Sequence, residues 1–164
     1  MTSTTQPGAN RIRLSRRHEW SVYATIALVF SSGAAWAWLH HFAQRAGEFG
    51  ESAHPAELWM QKLHGASAML SLILLGTMLV SHVPLAWRAQ RNRPTGTSLF
   101  AVLAFLIGTG YALYYSGNDR LRDWLGWGHL WIGVALPLFL ALHVWRGKRR
   151  PAPGPVDESA PGSG

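Results

Sequence analysis

The sequence predicts an all-α, integral-membrane protein folded as an up-down bundle of four helices. Four apolar stretches interrupt a chain of 164 residues whose two ends are polar. Each stretch approaches or exceeds the ~20 residues that an α-helix needs to cross a ~30 Å hydrocarbon core. Basic residues cluster before the first stretch, between the second and third, and after the fourth. In a four-span protein these places share one side, which the positive-inside rule makes the cytoplasm, so both termini are expected there.

The first helix is expected over residues 20–41, after a basic segment, Arg11–Arg17. A signal peptide would show the same order of basic and apolar residues. The apolar run is too long for a typical signal, however, and Gly33–His40 offers no convincing small-residue cleavage site. We therefore expect a retained helix. The chain starts and ends in segments rich in Ser, Thr, Gly and Pro, and residues 1–18 and 148–164 are predicted to be disordered tails.

Three further helices complete a transmembrane domain that covers residues 19–147. They are expected over residues 56–87, 97–116 and 121–146. His54 and Pro55 are expected at the start of the second helix, because proline is favoured at the first helical position. Gly117 follows the third helix, where it would suit a left-handed cap.

Composition limits the chemistry available to this chain. Cysteine is absent, which excludes disulfides, thiolate zinc sites, cysteine-ligated iron–sulfur clusters and covalent attachment of haem. A haem would have to be held noncovalently, through nitrogen or thioether ligands. The net charge of +7 comes from basic clusters that mark membrane topology. Lipid is therefore an expected partner, and nucleic acid is not.

Four histidines lie near the ends of the second and fourth apolar stretches, and they are the main functional signal. An ionisable residue inside a bilayer is costly, which favours a functional role. His64 and His82 are 18 residues apart, or five turns, and His129 and His143 are 14 apart, close to four turns, so each pair shares one helix face. Facing helices of such bundles build cofactor sites. His64 should face His129 on the outer side and His82 should face His143 on the inner side, an arrangement that suits an iron porphyrin with one imidazole on each face.

Small residues near these histidines leave room for a flat ligand. Four of them are expected to line the cofactor: Ser67, Ala68 and Ser71 on the second helix and Gly133 on the fourth. Straight helices would separate the two histidines by about 27 Å in the second helix and about 21 Å in the fourth. This mismatch makes His82, the closest to a helix end, the least secure of the four metal ligands.

The remaining histidines are weaker candidates. His40, His41 and His54 lie at or beyond the outer interface, where polar residues cost little, and one of them could replace an assigned ligand. His18 precedes the first helix and is expected to be solvated. A single membrane histidine more often forms an interhelical hydrogen bond, but four histidines matched in depth and face favour ligation.

Residues 63–82, 109–117 and 128–145 resemble small bacterial four-helix b-type cytochromes. The flavinylation-associated cytochrome group is the nearest resemblance, and the membrane cytochrome b subunits of respiratory dehydrogenases and reductases are more distant. The likeness covers about residues 55–147. It implies electron transfer between a membrane or cytoplasmic-side donor and an extracytoplasmic acceptor, with any flavin carried by a partner. It also implies two b haems held by residues that match His64, His82, His129 and His143.

We therefore expect a dihaem b-type cytochrome of the bacterial inner membrane, acting within a respiratory redox chain with a flavoprotein or cytochrome partner. Two histidines on one iron leave no open coordination position, so the protein is expected to be an electron carrier or oxidoreductase subunit more than a stand-alone enzyme. Haem propionates need cationic or hydrogen-bonding partners. The candidates are Arg88, Arg91 and Arg146 inside and Lys62, Arg120, Arg122 and Tyr115 outside.

Other functions stay open at this stage. A quinone site could be lined by Tyr111, Tyr114 and Tyr115, although an aromatic belt explains them equally well. A haem-free proton or metal transporter could use the same histidines. The helices carry no acidic residue at mid-membrane depth, however, and proton pathways usually recruit one. A structural membrane anchor would leave the paired depths of the histidines unexplained.

Overall fold

The computed structural model describes residues 15–47, 50–90 and 92–149. Most of the predicted tails, and Arg91, lie outside these described residues. The expectation of an all-α fold with four long helices is confirmed. The helices are α1 (Arg16–Phe42), α2 (Pro55–Arg88), α3 (Arg93–Tyr115) and α4 (Asp119–Arg149), and two short strands, β1 (Arg45–Gly47) and β2 (Gly50–Ser52), lie between α1 and α2.

Polar side chains fix where the helices begin. Ser15 caps α1 by accepting a hydrogen bond from the backbone N–H of His18 at 3.3 Å. His54 is the N-cap of α2, accepting from the N–H of Ala56 at 3.1 Å, with Pro55 at the first helical position as expected. Asn118 Oδ1 accepts from the N–H of Leu121 at 3.0 Å and caps the start of α4. These caps satisfy N–H groups that have no partner within a helix.

Two local features differ from the sequence-based expectations. The prediction of a left-handed cap at Gly117 is wrong, because Gly50 is the only glycine with positive φ among the described residues. Ser116 instead leaves α3 in an extended conformation, and the chain passes directly to the cap of α4. The antiparallel hairpin of β1 and β2 was not predicted, since three-residue strands carry no readable alternation.

The helices pack as two antiparallel hairpins. α1 packs along α2, α3 packs along α4, and a smaller contact joins α1 to α4. At the end of that contact nearer the β-hairpin, the ring of His41 stacks on Trp127, with 5.5 Å between the ring centres. This arrangement places α2 and α4 diagonally across the bundle, so side chains on their inner faces meet in its interior.

The interior of the bundle is unusually polar and its exterior is apolar. Among the described residues, Ala37 and Leu136 are the only buried hydrophobic side chains, while Ser32, Ser67 and Thr109 are buried. Large apolar side chains point outward, including Ile73 (64% exposed), Val80 (84%) and Leu138 (62%). All four helices are long and apolar enough to cross a membrane. An outward apolar surface with small polar residues between helices is the pattern expected of a protein surrounded by lipid.

Candidate cofactor site

The four histidines are half-buried and form two pairs, of which His64 and His129 are in ring contact. The rings of His64 and His129 lie 6.1 Å apart, centre to centre, with an interplanar angle of 82°. His82 and His143 are close enough for their charges to interact. The structure therefore brings together the residues that the sequence paired, one pair towards each end of the bundle. The unequal spacings of 18 and 14 residues do not prevent this.

The ring of His64 is held by the backbone of α1. Its Nδ1 lies 2.9 Å from the carbonyl oxygen of Val29. A carbonyl oxygen can only accept, so Nδ1 carries the proton and Nε2 keeps a free lone pair. The hydroxyl of Ser32 lies 3.4 Å from the same Nδ1. A Cβ at Gly33 would stand 2.9 Å from Cε1 of the ring, so only glycine leaves room for it.

His129 has matching neighbours on α3. Its Nδ1 lies 2.9 Å from Oγ1 of Thr109, which donates its own proton to the carbonyl of Phe105 at 2.8 Å. The hydroxyl oxygen must then accept from His129, so Nδ1 again carries the proton. The ring lies over Gly110, where a Cβ would stand 3.4 Å from Cε1.

His143 is held at the other end of α3. Its Nδ1 lies 3.2 Å from Oγ1 of Thr95 and 3.4 Å from Nδ2 of Asn92. Asn92 also donates to the backbone carbonyl of His143 at 2.7 Å, tying the start of α3 to the last turns of α4. Gly96 faces the ring, with 3.6 Å between its Cβ position and Cε1.

His82 differs from the other three. Its Nδ1 is buried, and no hydrogen-bond partner for it lies within the described parts of the chain. The ring is half-buried on the inner face of α2. His82 therefore lacks the Nδ1 hydrogen bond that the other three histidines receive from a neighbouring helix.

The donor set fits haem iron better than a multi-ligand metal site. Imidazole nitrogens bind metals at about 2 Å, so one metal between two rings places their centres about 6 Å apart, close to the 6.1 Å observed for His64 and His129. Groups of three or more His, Asp or Glu side chains arranged for a metal ion do not occur in residues 15–47, 50–90 and 92–149. His64 and His129, whose Nδ1 atoms are hydrogen-bonded, leave Nε2 available to iron, and a porphyrin would supply the other four ligands.

The small residues expected near the cofactor lie on or beside this interior face. Ser67 is buried and donates to the carbonyl of Leu63 at 2.7 Å, and Ser71 donates to the carbonyl of Ser67 at 3.0 Å. Ala68 is half-buried. A Cβ at Gly133 would meet Leu106 of α3 at an ordinary 3.8 Å, which places this glycine on the side of α4 that faces α3.

The alternative histidines all have structural partners. His40 Nδ1 lies 2.7 Å from Oε1 of Glu57, and its ring stacks on Trp36. His41 stacks on Trp127, and His54 caps α2. His18 lies 3.4 Å from the hydroxyl of Thr77. None of these four rings takes part in the two interior pairs.

The sequence-based search missed the residues that hold the rings. Three dipeptides supply them, and we call these the hydroxyl–glycine pairs: Ser32–Gly33, Thr109–Gly110 and Thr95–Gly96. One signal was present in the sequence, because Gly96 and Gly110 are 14 residues apart, as are His129 and His143. Antiparallel helices in contact should repeat the same spacing, so this match links α3 to α4.

A basic pocket adjoins the inner pair. It has a volume of about 240 Å³ and is lined by Asn92, Pro94, Thr95, Arg146 and Arg149. Two of these residues, Asn92 and Thr95, also hold His143. Arg146, one of the expected propionate partners, therefore lies beside the inner site.

Comparison with known proteins gives one informative relative. The chain is 31% identical, over 122 residues, to a protein of Bradyrhizobium diazoefficiens named as a probable Ni/Fe-hydrogenase B-type cytochrome subunit. The match spans 73% of this chain and 46% of the relative, so the chain covers about half of that protein's length. No family model and no solved structure matches the chain.

Proposed function

We propose that this protein is an integral-membrane, dihaem b-type cytochrome that carries electrons across the bilayer. The observation that carries the proposal is the outer pair, in which His64 and His129 face each other at 6.1 Å across a polar interior. The similarity to a named B-type cytochrome subunit independently supports haem b as the cofactor.

The four histidines would hold the iron of the two haems, His64 with His129 for an outer haem and His82 with His143 for an inner haem. Haem, when bound, would supply one-electron transfer, and two histidines on each iron would leave no position for a substrate. Hydrogen bonds from Nδ1 make an imidazole a more basic ligand and fix its orientation. Val29 provides this bond for His64, and Thr109 provides it for His129.

Basic and polar side chains would neutralise the haem propionates at both ends. Arg146 lies in the basic pocket beside the inner site. At the outer end, Lys62 would be a cationic partner, and its ammonium lies 4.9 Å from the ring centre of Trp59. Arg88, Arg120, Arg122 and Tyr115 are the further candidates, together with Arg91.

The protein would lie in the bacterial inner membrane with both termini in the cytoplasm, as its basic clusters favour. Its partner would be a redox protein, since the relative is named as a subunit of a hydrogenase. We infer an extracytoplasmic flavoprotein or cytochrome as the acceptor class. A quinone bound near Tyr111, Tyr114 and Tyr115 is a second possible redox partner, because all three side chains are exposed at the outer end of α3.

The experiment is to purify the full chain from haem-replete cells and to record its reduced-minus-oxidised spectrum. A b-type spectrum with about two haems per chain supports the proposal. A protein purified without haem would contradict the proposed function and would favour a histidine-based transporter or a membrane anchor. Growth with and without a haem precursor serves as the control for haem supply.

A further inference from the structure

Three of the four paired histidines share one type of support on the neighbouring helix. In each case a hydroxyl lies beside Nδ1, and the next residue is a glycine whose missing side chain admits the edge of the ring. At two of the three sites the residue four positions before the glycine adds a contact. The carbonyl of Val29 lies beside His64, and the side-chain amide of Asn92, the N-cap of α3, lies beside His143. The same local pattern therefore recurs on α1 and at both ends of α3.

The pattern follows from helix geometry. The carbonyl of residue i−4 points along the helix towards residue i, and a side chain at residue i would cover it. Gly33 leaves the Val29 carbonyl open to His64, although that carbonyl also belongs to the helical hydrogen-bond ladder. A carbonyl oxygen has two lone pairs, so it can accept both bonds.

We propose that the hydroxyl–glycine pairs are positioning elements that hold the histidine rings for metal binding and set the rings of His64 and His129 nearly perpendicular. This inference rests on the proposed haem function and adds to it the orientation of the ligands. The interplanar angle of 82° arises because the two rings are held from different helices, α1 for His64 and α3 for His129.

The three glycines should differ in how strictly they are required. The distance from the Cβ position to Cε1 of the ring is 2.9 Å at Gly33, 3.4 Å at Gly110 and 3.6 Å at Gly96. The first contact forces the ring to move, the second is at the edge of ordinary contact, and the third is ordinary. Alanine should therefore disturb the site most at Gly33, less at Gly110 and least at Gly96.

The orientation of the ligand planes has its own spectroscopic signature. Ferric low-spin haem with perpendicular imidazoles gives a highly anisotropic electron paramagnetic resonance signal with one low-field feature. Parallel imidazoles give a three-line rhombic signal. We expect the purified wild-type protein to show the anisotropic signal for its outer haem, whatever its electron-transfer activity.

The test compares this signal in alanine variants at the three glycines that face a histidine ring. Gly33→Ala should shift or abolish the anisotropic feature of the outer haem, and Gly110→Ala should shift it less. Gly96→Ala should leave this feature unchanged, because Gly96 faces His143 of the other pair. The matched controls are Gly65→Ala, Gly76→Ala and Gly108→Ala, because nothing lies within 4 Å of a Cβ at these helical positions. Control variants should keep the wild-type signal and haem content.

Variants of Thr109 keep the inference testable if the glycine variants fail to fold. Thr109→Val keeps the shape of the side chain but removes the acceptor for His129, and it should move the midpoint potential and the signal of the outer haem. Thr109→Ser should restore both. Haem with a rhombic outer signal, or with a signal that Gly33→Ala and Thr109→Val leave unchanged, would overturn this inference alone. Complete absence of haem from the wild-type protein would overturn the proposed function and this inference with it.

Discussion

The rings of His64 and His129 face each other across the bundle at 6.1 Å and at nearly a right angle. Each ring donates its Nδ1 proton to a different neighbouring helix, to Val29 of α1 or to Thr109 of α3. Both Nε2 atoms are consequently left as acceptors in the bundle interior. Nε2 of each ring is therefore the nitrogen that remains available to a ligand such as a metal ion.

Replacing His129 by alanine should remove the outer haem and spare the inner one. His64 alone would offer a single axial ligand, while His82 and His143 lie towards the opposite end of the bundle. We expect the haem content to fall by about half and the remaining b-type spectrum to titrate as one component. Haem content by the pyridine haemochrome method and a redox titration provide the measurements.

His41→Phe is the matched control for this experiment. His41 lies at the outer end of α1 and stacks on Trp127, a contact that phenylalanine can keep. The variant should retain both haems. If His41→Phe lost the outer haem while His129→Ala kept it, His41 would be the ligand and the proposed outer pair would be wrong.

The inner pair should respond unequally to loss of its two ligands. His143 is held by Thr95 and Asn92, whereas Nδ1 of His82 has no partner within the described residues. We therefore expect His82→Ala to leave a high-spin inner haem on His143, and His143→Ala to lose the inner haem altogether. Absorption and electron paramagnetic resonance spectra distinguish the two states.

His18→Ala provides the control at the same end of the bundle, because His18 contacts Thr77 of α2 and not His143. It should leave both haems low-spin. Equal effects of His82→Ala and His143→Ala would contradict the unequal support inferred for this pair.

The helices and the pairing of the histidines could be predicted because both depend on local periodicity. Apolar length identifies a span, and a spacing of 18 or 14 residues places two histidines on one helix face. The hydroxyl–glycine pairs could not be found this way, since they depend on the register between two antiparallel helices. Only the shared 14-residue spacing on α3 and α4 gave a hint of that register.

The same register explains why His82 has less support. His64 lies against Gly33, so a second support 18 residues earlier on α1 would fall near residue 15. α1 begins at Arg16, and Ser15 is already used as its N-cap. The first helix therefore starts too late to repeat at His82 what it provides at His64.

Asn92 should contribute to stability through both its backbone and its side chain. It adopts a left-handed conformation with φ of 56°, and its Nδ2 donates to the carbonyl of His143 at 2.7 Å. Alanine loses the hydrogen bond, worth about 1 kcal/mol, and must also adopt the left-handed conformation at a cost of about 1 kcal/mol. We expect Asn92→Ala to lower the free energy of unfolding by about 2 kcal/mol, measured by denaturant titration in detergent.

Asn92→Gly separates the two contributions. Glycine tolerates positive φ, so this variant should lose only the hydrogen bond, or about 1 kcal/mol, apart from the added flexibility of the unfolded chain. Equal destabilisation by alanine and glycine would show that the backbone conformation at residue 92 contributes little.

The orientation of the protein can be tested with single cysteines, because the native chain contains none. Gly117 lies between α3 and α4 and Ala89 follows α2, and both are exposed at opposite ends of the bundle. With the basic ends in the cytoplasm, a membrane-impermeant maleimide should label Gly117→Cys in intact spheroplasts and Ala89→Cys only after lysis. A Cβ at residue 117 meets nothing within 4 Å, so the substitution should not disturb the fold. Labelling of Ala89→Cys before lysis would show that the protein has the opposite orientation, with the pair of His64 and His129 on the cytoplasmic side.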